Sequence, residues 1–135
     1  MKHVLSIFIF LTLSTFCRAQ DTVTKNGKTY IFIGHMPEFR GDYMQFIRNH
    51  IQYPFDARTA NISGQVMVRF IINEDGTVSD PIIIRHVYPS LDSEAVRVVK
   101  LMLWKPGATA NGKRIKVPQS LPVNFQLNDV SANPH

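Results

Sequence analysis

From Gly64 onward the chain alternates. In GQVMVRFIINEDGTVSDPIIIRHV, Val66, Val68, Phe70 and Ile72 recur at every second position, Asp75-Gly76 interrupts, and a second apolar run follows. Period two in β-branched and aromatic residues predicts a half-buried strand, and Asp-Gly between two such runs predicts a hairpin. Pro81 has no amide hydrogen, so the second strand is expected at a sheet edge or across a bulge. The period then changes. In SLDSEAVRVVKLMLW, Ala95, Val98, Val99 and Met102 form one stripe at helical spacing. Asp92 is expected to cap this helix, with Leu91 stapled onto Val96 and Lys105-Pro106-Gly107 ending it. Alternation returns in RIKVPQSLPVNFQL, where Leu121, Val123, Phe125 and Leu127 oppose Ser120, Asn124 and Gln126. Pro118 and Pro122 withhold ladder donors, which assigns this last strand to an edge as well.

Upstream, DYMQFIRNHIQYP has helical spacing, with Tyr43, Met44, Ile47 and Ile51 on one face, Phe46 flanking, and Asp42 as N-cap. Pro54 ends it and opens a second short helix through Arg58. DTVTKNGKTYIFIG reads as a small hairpin turning at Asn26-Gly27, and HMPEFRG as irregular backbone. The tail NDVSANPH is polar and expected to fray. Helix, strand, strand, helix, strand is the order of an α+β domain, a small antiparallel sheet with helices on one face.

The first twenty residues follow another logic. MKHVLSIFIFLTLSTFCRAQ has a charged start, an apolar run of about 13 residues and a small-x-small site at Cys17-Arg18-Ala19, the anatomy of a secretory signal peptide. The run is short of the roughly 20 residues that span a bilayer, so cleavage after Ala19 is expected rather than an uncleaved anchor. Bulky Phe16 before Cys17 argues against lipoprotein processing. Cys17 is the only cysteine, so the mature chain holds no disulfide and no thiol nucleophile. The 44% hydrophobic and 19% charged residues describe one globular domain. Losing Lys2 and Arg18 takes the net charge from +5 to +3, a mildly basic balance that does not point to nucleic acid.

Candidate chemistry is sparse. GATANGKR, 107–114, nearly matches the phosphate-loop pattern G-x-x-x-x-G-K-[ST], failing only at Arg114. A phosphate loop needs a strand before the glycines and a helix after them. The expected order here is helix, then strand, so Asn111-Gly112 is assigned to a turn and no nucleotide is expected. His35, His50, His86 and His135 show no metal-ligand spacing, and no Gly-x-Ser-x-Gly elbow exists. No catalytic residue, metal or cofactor is assigned, and Trp104 is expected to plug the core.

Five segments in order carry a resemblance: YPFDA, ISGQVMVRFIINEDGTV, SLDSEAVRVV, WKPG with NGK, and LPVNFQL, preceded by MPEFRG. Together they resemble the C-terminal domain of the TonB energy transducers, from about Met36 to Leu127. The chain is thus expected to divide into 1–19 as signal peptide, 20–35 as an N-terminal hairpin extension, 36–127 as the TonB C-terminal-like domain that the resemblance implies, and 128–135 as a flexible tail. The resemblance implies a three-stranded antiparallel sheet whose last strand is an exposed edge. It also implies a non-enzymatic periplasmic module of a Gram-negative envelope, binding the extended TonB box of outer-membrane receptors as an added strand. Carried over by position, the docking edge is Gln119, Ser120, Leu121, Val123, Asn124, Phe125, Gln126 and Leu127, with pairing expected mostly at 123–126. Full-length transducers have a transmembrane anchor and a long Pro-rich linker that this sequence lacks. It is therefore expected not to energise transport alone. The alternative expectation is a homodimer formed through the same edge.

Overall fold

The computed structural model describes residues 22–127; the expected signal peptide and the polar tail lie outside them. In chain order the elements are β1 (Thr22–Lys25), β2 (Lys28–Ile31), β3 (Ile33–His35), β4 (Glu38–Phe39), α1 (Tyr43–His50), α2 (Phe55–Thr59), β5 (Gly64–Ile72), β6 (Val78–Arg85), α3 (Pro89–Lys100), β7 (Trp104–Lys105), β8 (Gly107–Thr109), β9 (Arg114–Ile115) and β10 (Val117–Phe125).

The main sheet is antiparallel and three-stranded, in the order β10-β5-β6, so the architecture is the expected α+β. Alternation places Val66, Val68, Phe70 and Ile72 of the central strand wholly in the core. The α3 stripe of Leu91, Ala95, Val98 and Val99, continued by Met102, covers them, and β10 adds Leu121, Val123 and Phe125. In the β5–β6 turn the Asp75 carboxylate accepts from the Thr77 amide at 3.0 Å and its hydroxyl at 2.6 Å. Those bonds lower its pKa. On β6 the pairing shifts between Arg69↔Ile82 and Ile71↔Ser79, leaving one residue extra around Asp80, whose φ is +49°, and Pro81. The strand is both an edge and bulged.

Several local expectations are corrected. Helix α3 opens at Pro89 with Tyr88 in the cap position, because proline suits a first helical turn. Asp92 thus lies inside the helix, accepting from the Val87 amide at 3.1 Å and meeting His86 Nδ1 at 2.8 Å. The helix stops at Lys100, short of Trp104. The Trp104 amide instead donates to Gly76 O at 2.9 Å, and β7 pairs with β4. HMPEFRG is therefore partly strand, with Phe39 set edge-on to Trp104 at 5.3 Å. On α1 the Asp42 cap holds, accepting from Met44 and Gln45 amides at 2.9 and 3.2 Å. Its inward face is Ile47 with Phe46 and Ile51, whereas Tyr43 and Met44 are exposed.

Side chains fasten α1 and α2 to this core. Buried Glu94 accepts from the Gln52 amide at 2.7 Å and from Arg97 Nε and Nη2 at 2.8 and 2.6 Å. Arg97 Nη2 also donates to His50 O at 2.7 Å, tying the end of α1 to α3. Tyr53 donates its hydroxyl to Ile62 O and sets its ring edge-on to Phe125 at 5.8 Å. Burial raises the Tyr53 pKa above the ordinary 10.0, against the lowering effect of Arg58. A phenol with a raised folded pKa contributes stability fully below its unfolded value and loses it as pH climbs through the folded one. Tyr53→Phe is accordingly expected to cost about 1 kcal/mol at neutral pH. It should also flatten the alkaline fall in stability above about pH 10, read by urea unfolding at several pH values.

Candidate partner-binding site

The last strand runs unbroken against β5 from Val117↔Ile72 to Phe125↔Gly64. In an antiparallel pair, residues whose amide and carbonyl face the neighbour alternate with residues whose groups face away. Proline cannot donate, so an intact ladder places Pro118 and Pro122 among those facing away. Both are even-numbered. Ser120 and Asn124 therefore also turn their backbone outward, while residues 117, 119, 121, 123 and 125 turn theirs to β5. The outer edge offers four carbonyls but only two amides, at Ser120 and Asn124.

Side chains sort by the same parity. Leu121, Val123 and Phe125 are buried, Gln119 is half-buried on their face, and Ser120 and Asn124 are exposed on the other. Asn124 Oδ1 accepts from Gln65 Nε2 at 2.8 Å directly opposite, and Gln65 Oε1 accepts from Arg85 Nη1 at 3.3 Å. A polar ladder thus crosses all three strands of the solvent face. Gln126 and Leu127 follow the strand, exposed and half-buried.

Beside this edge runs α1. A groove of about 220 Å³ separates them, lined by Met44, Ile47, Arg48, Pro122, Asn124 and Gln126. Arg48 makes no hydrogen bond or ion pair among the described residues. Helical spacing puts Met44 on one face with Ile47 but does not show that this face borders a groove. Of the eight edge residues expected from the sequence, the structure brings Asn124 and Gln126 to the groove and adds Pro122.

The other motifs resolve into structure. GATANGKR forms a hairpin of β8 and β9, with Gly112 at φ +81° and its amide on Thr109 O at 2.9 Å. A strand stands on each side of the turn, β9 following it where a phosphate cradle needs a helix. Trp104 is 5% exposed and packs at 5.9 Å from Phe70 as well as against Phe39.

A family model described as the Gram-negative bacterial TonB protein C-terminal matches residues 49–127. Two solution structures of the Helicobacter pylori TonB C-terminal domain are similar at 24% identity and a TM-score of 0.47. The first, of its residues 194–285, covers 63% of this chain and 89% of that one. The second, of its residues 179–285, covers 62% and 75%. No curated protein matches the chain. The matched segment takes in α2, the whole β10-β5-β6 sheet, α3 and the edge just described, more than half of the sequence, and the chain belongs to the TonB C-terminal family.

Proposed function

We propose that this protein is a non-enzymatic periplasmic binding module that captures extended segments of outer-membrane transporters, of the TonB-box kind, by strand addition at β10. The observation that carries it is the outward edge of that strand, left without a pairing strand among the described residues and flanked by the α1 groove. An open edge invites wrong pairing, so its persistence makes sense if a partner fills it. The incoming main chain supplies amides to the outward carbonyls, and its alternate side chains settle between Met44 and Asn124. Unpaired Arg48 favours a segment with a carboxylate at the groove end. No helix among the described residues is long and apolar enough to cross a membrane.

Dimerisation through the same edge is the weaker alternative. A second copy brings its own two prolines, so an antiparallel self-pair loses donors on both strands, whereas a proline-free peptide loses them on one. Titration calorimetry with TonB-box peptides and scrambled controls tests the proposal. Micromolar binding of the former alone is expected, and no binding at high micromolar peptide rejects it. Arg48→Glu is expected to weaken an acidic peptide about tenfold while moving a neutral one less than about twofold.

A further inference from the structure

We propose that the N-terminal hairpin and the small sheet it leads into form a docking surface for a bilayer containing anionic phospholipid. Every residue of β1 and β2 is exposed, and the two strands pair only with each other. A two-stranded hairpin without a covering layer is marginal in water. Three of the eight strand residues of this one, Val23, Tyr30 and Ile31, are nonetheless large and apolar, and more such residues follow it. Val23, Tyr30, Ile31, Phe32, Ile33 and Met36 are between 40% and 63% exposed, six of the thirteen large hydrophobics that the described residues leave open.

The register shows what would cover them. Val23↔Tyr30 and Lys25↔Lys28 are pairs two positions apart, so they share one face, an apolar base with a basic tip. Two lysines directly opposite each other repel and weaken a strand pair unless an anion answers them. A second copy would bring two more lysines, which disfavours self-association through this face. The charge extends beyond the tip. Residues 22–41 and 104–117, which hold the hairpin, the β3-β8-β9 sheet and the β4-β7 pair, carry seven basic residues and one acidic, Glu38. Residues 42–103 and 118–127 carry six basic and seven acidic. Six exposed apolar residues and the excess positive charge thus fall in the same two stretches of chain, which the β3–β8 pairing brings together, and those stretches line no part of the β10 groove.

A membrane surface meets both needs together. Val23 and Tyr30 enter the boundary between headgroups and acyl chains, where tyrosine is favoured. Lys25 and Lys28 lay their methylene stems on the same boundary and reach the phosphates with their ammonium groups. Lys113, on the turn of the β8–β9 hairpin, and Arg114, at the start of β9, add attraction that salt screens. Neither a weak apolar contact nor a few charges anchors a protein alone, but the two combined do.

Co-sedimentation of the purified protein with vesicles tests this. Vesicles with roughly one-third phosphatidylglycerol in phosphatidylcholine should bind it at low salt. Pure phosphatidylcholine, or high salt, should weaken binding about tenfold or more. The double variants K25E/K28E and V23S/Y30S should each weaken it by a similar factor, with thermal unfolding unchanged because the hairpin lies outside the core. No binding to the anionic vesicles overturns the proposal, as does binding that ignores salt and both variants, which would come from another segment. A dimer in light scattering that the same variants dissolve would also overturn it, in favour of a self-interface. Peptide binding at β10 should be untouched in both variants, so failure here is separable from failure there.

Discussion

A protein carrying proline at both Ser120 and Asn124 is expected to bind no extended segment while folding as the wild type does. Both positions face away from β5, so removing their amide hydrogens breaks no bond of the sheet. They are also the last two outward donors on a strand that already has proline at 118 and 122. Each main-chain bond to a partner contributes about 1 kcal/mol net, and the added rings crowd the incoming strand as well. The single change Asn124→Pro should therefore weaken peptide binding about tenfold, and the double change about a hundredfold or beyond detection. Stability should fall by less than about 1 kcal/mol, since the lost Gln65–Asn124 bond is exposed and an edge strand accommodates proline. Leu121→Pro is the control of opposite parity. It removes a donor aimed at β5 and a side chain 5% exposed, and should cost about 3 kcal/mol or more. If proline at 120 and 124 unfolds the protein as Leu121→Pro does, the outward assignment is wrong. If the folded double variant still binds, the edge is not the site.

That parity was half-legible in the sequence. Pro118 and Pro122 are four residues apart, so both must face the same way along a strand, but only the continuous register with β5 says which way. The β5–β6 hairpin, α3 and β10 were readable because each is long enough to show a period of its own, as in Val66 to Ile72 or Ala95 to Met102. Strands β3, β4, β7, β8 and β9 have two or three residues each, too few for any period. They exist because tertiary partners hold them, as Trp104 holds Phe39. The end of α3 is hidden in the sequence for the same reason. Leu101-Met102-Leu103-Trp104 continues the apolar run, but the Trp104 amide is taken by Gly76 across the turn. Met44 shares a face with Ile47, but helical spacing gives that face without saying where core stops and groove begins. Nothing local records that α1 comes to rest beside β10.

The turn that claims Trp104 gives the largest expected stability effect. Gly76 has φ +87°, a conformation that costs a side-chain-bearing residue about 1–2 kcal/mol. A Cβ built there would also stand 2.0 Å from the Trp104 carbonyl oxygen, far inside any contact distance. That oxygen belongs to backbone, so relief requires the β5–β6 turn and β7 to separate. The bond from Trp104 N to Gly76 O then breaks, and the indole is pulled off Phe70 and Phe39. Gly112 is a matched control, with φ +81° and nothing within 4 Å of its Cβ position. Gly112→Ala should cost about 1 kcal/mol through backbone strain alone. Gly76→Ala should cost about 3 kcal/mol or more, because strain and steric clash act together. Urea unfolding of both variants measures the difference, and near-ultraviolet circular dichroism reports whether Trp104 has moved. Equal costs would mean that the turn and β7 part without resistance, and that α3 ends where it does for a reason other than the hold of Gly76 on the Trp104 amide.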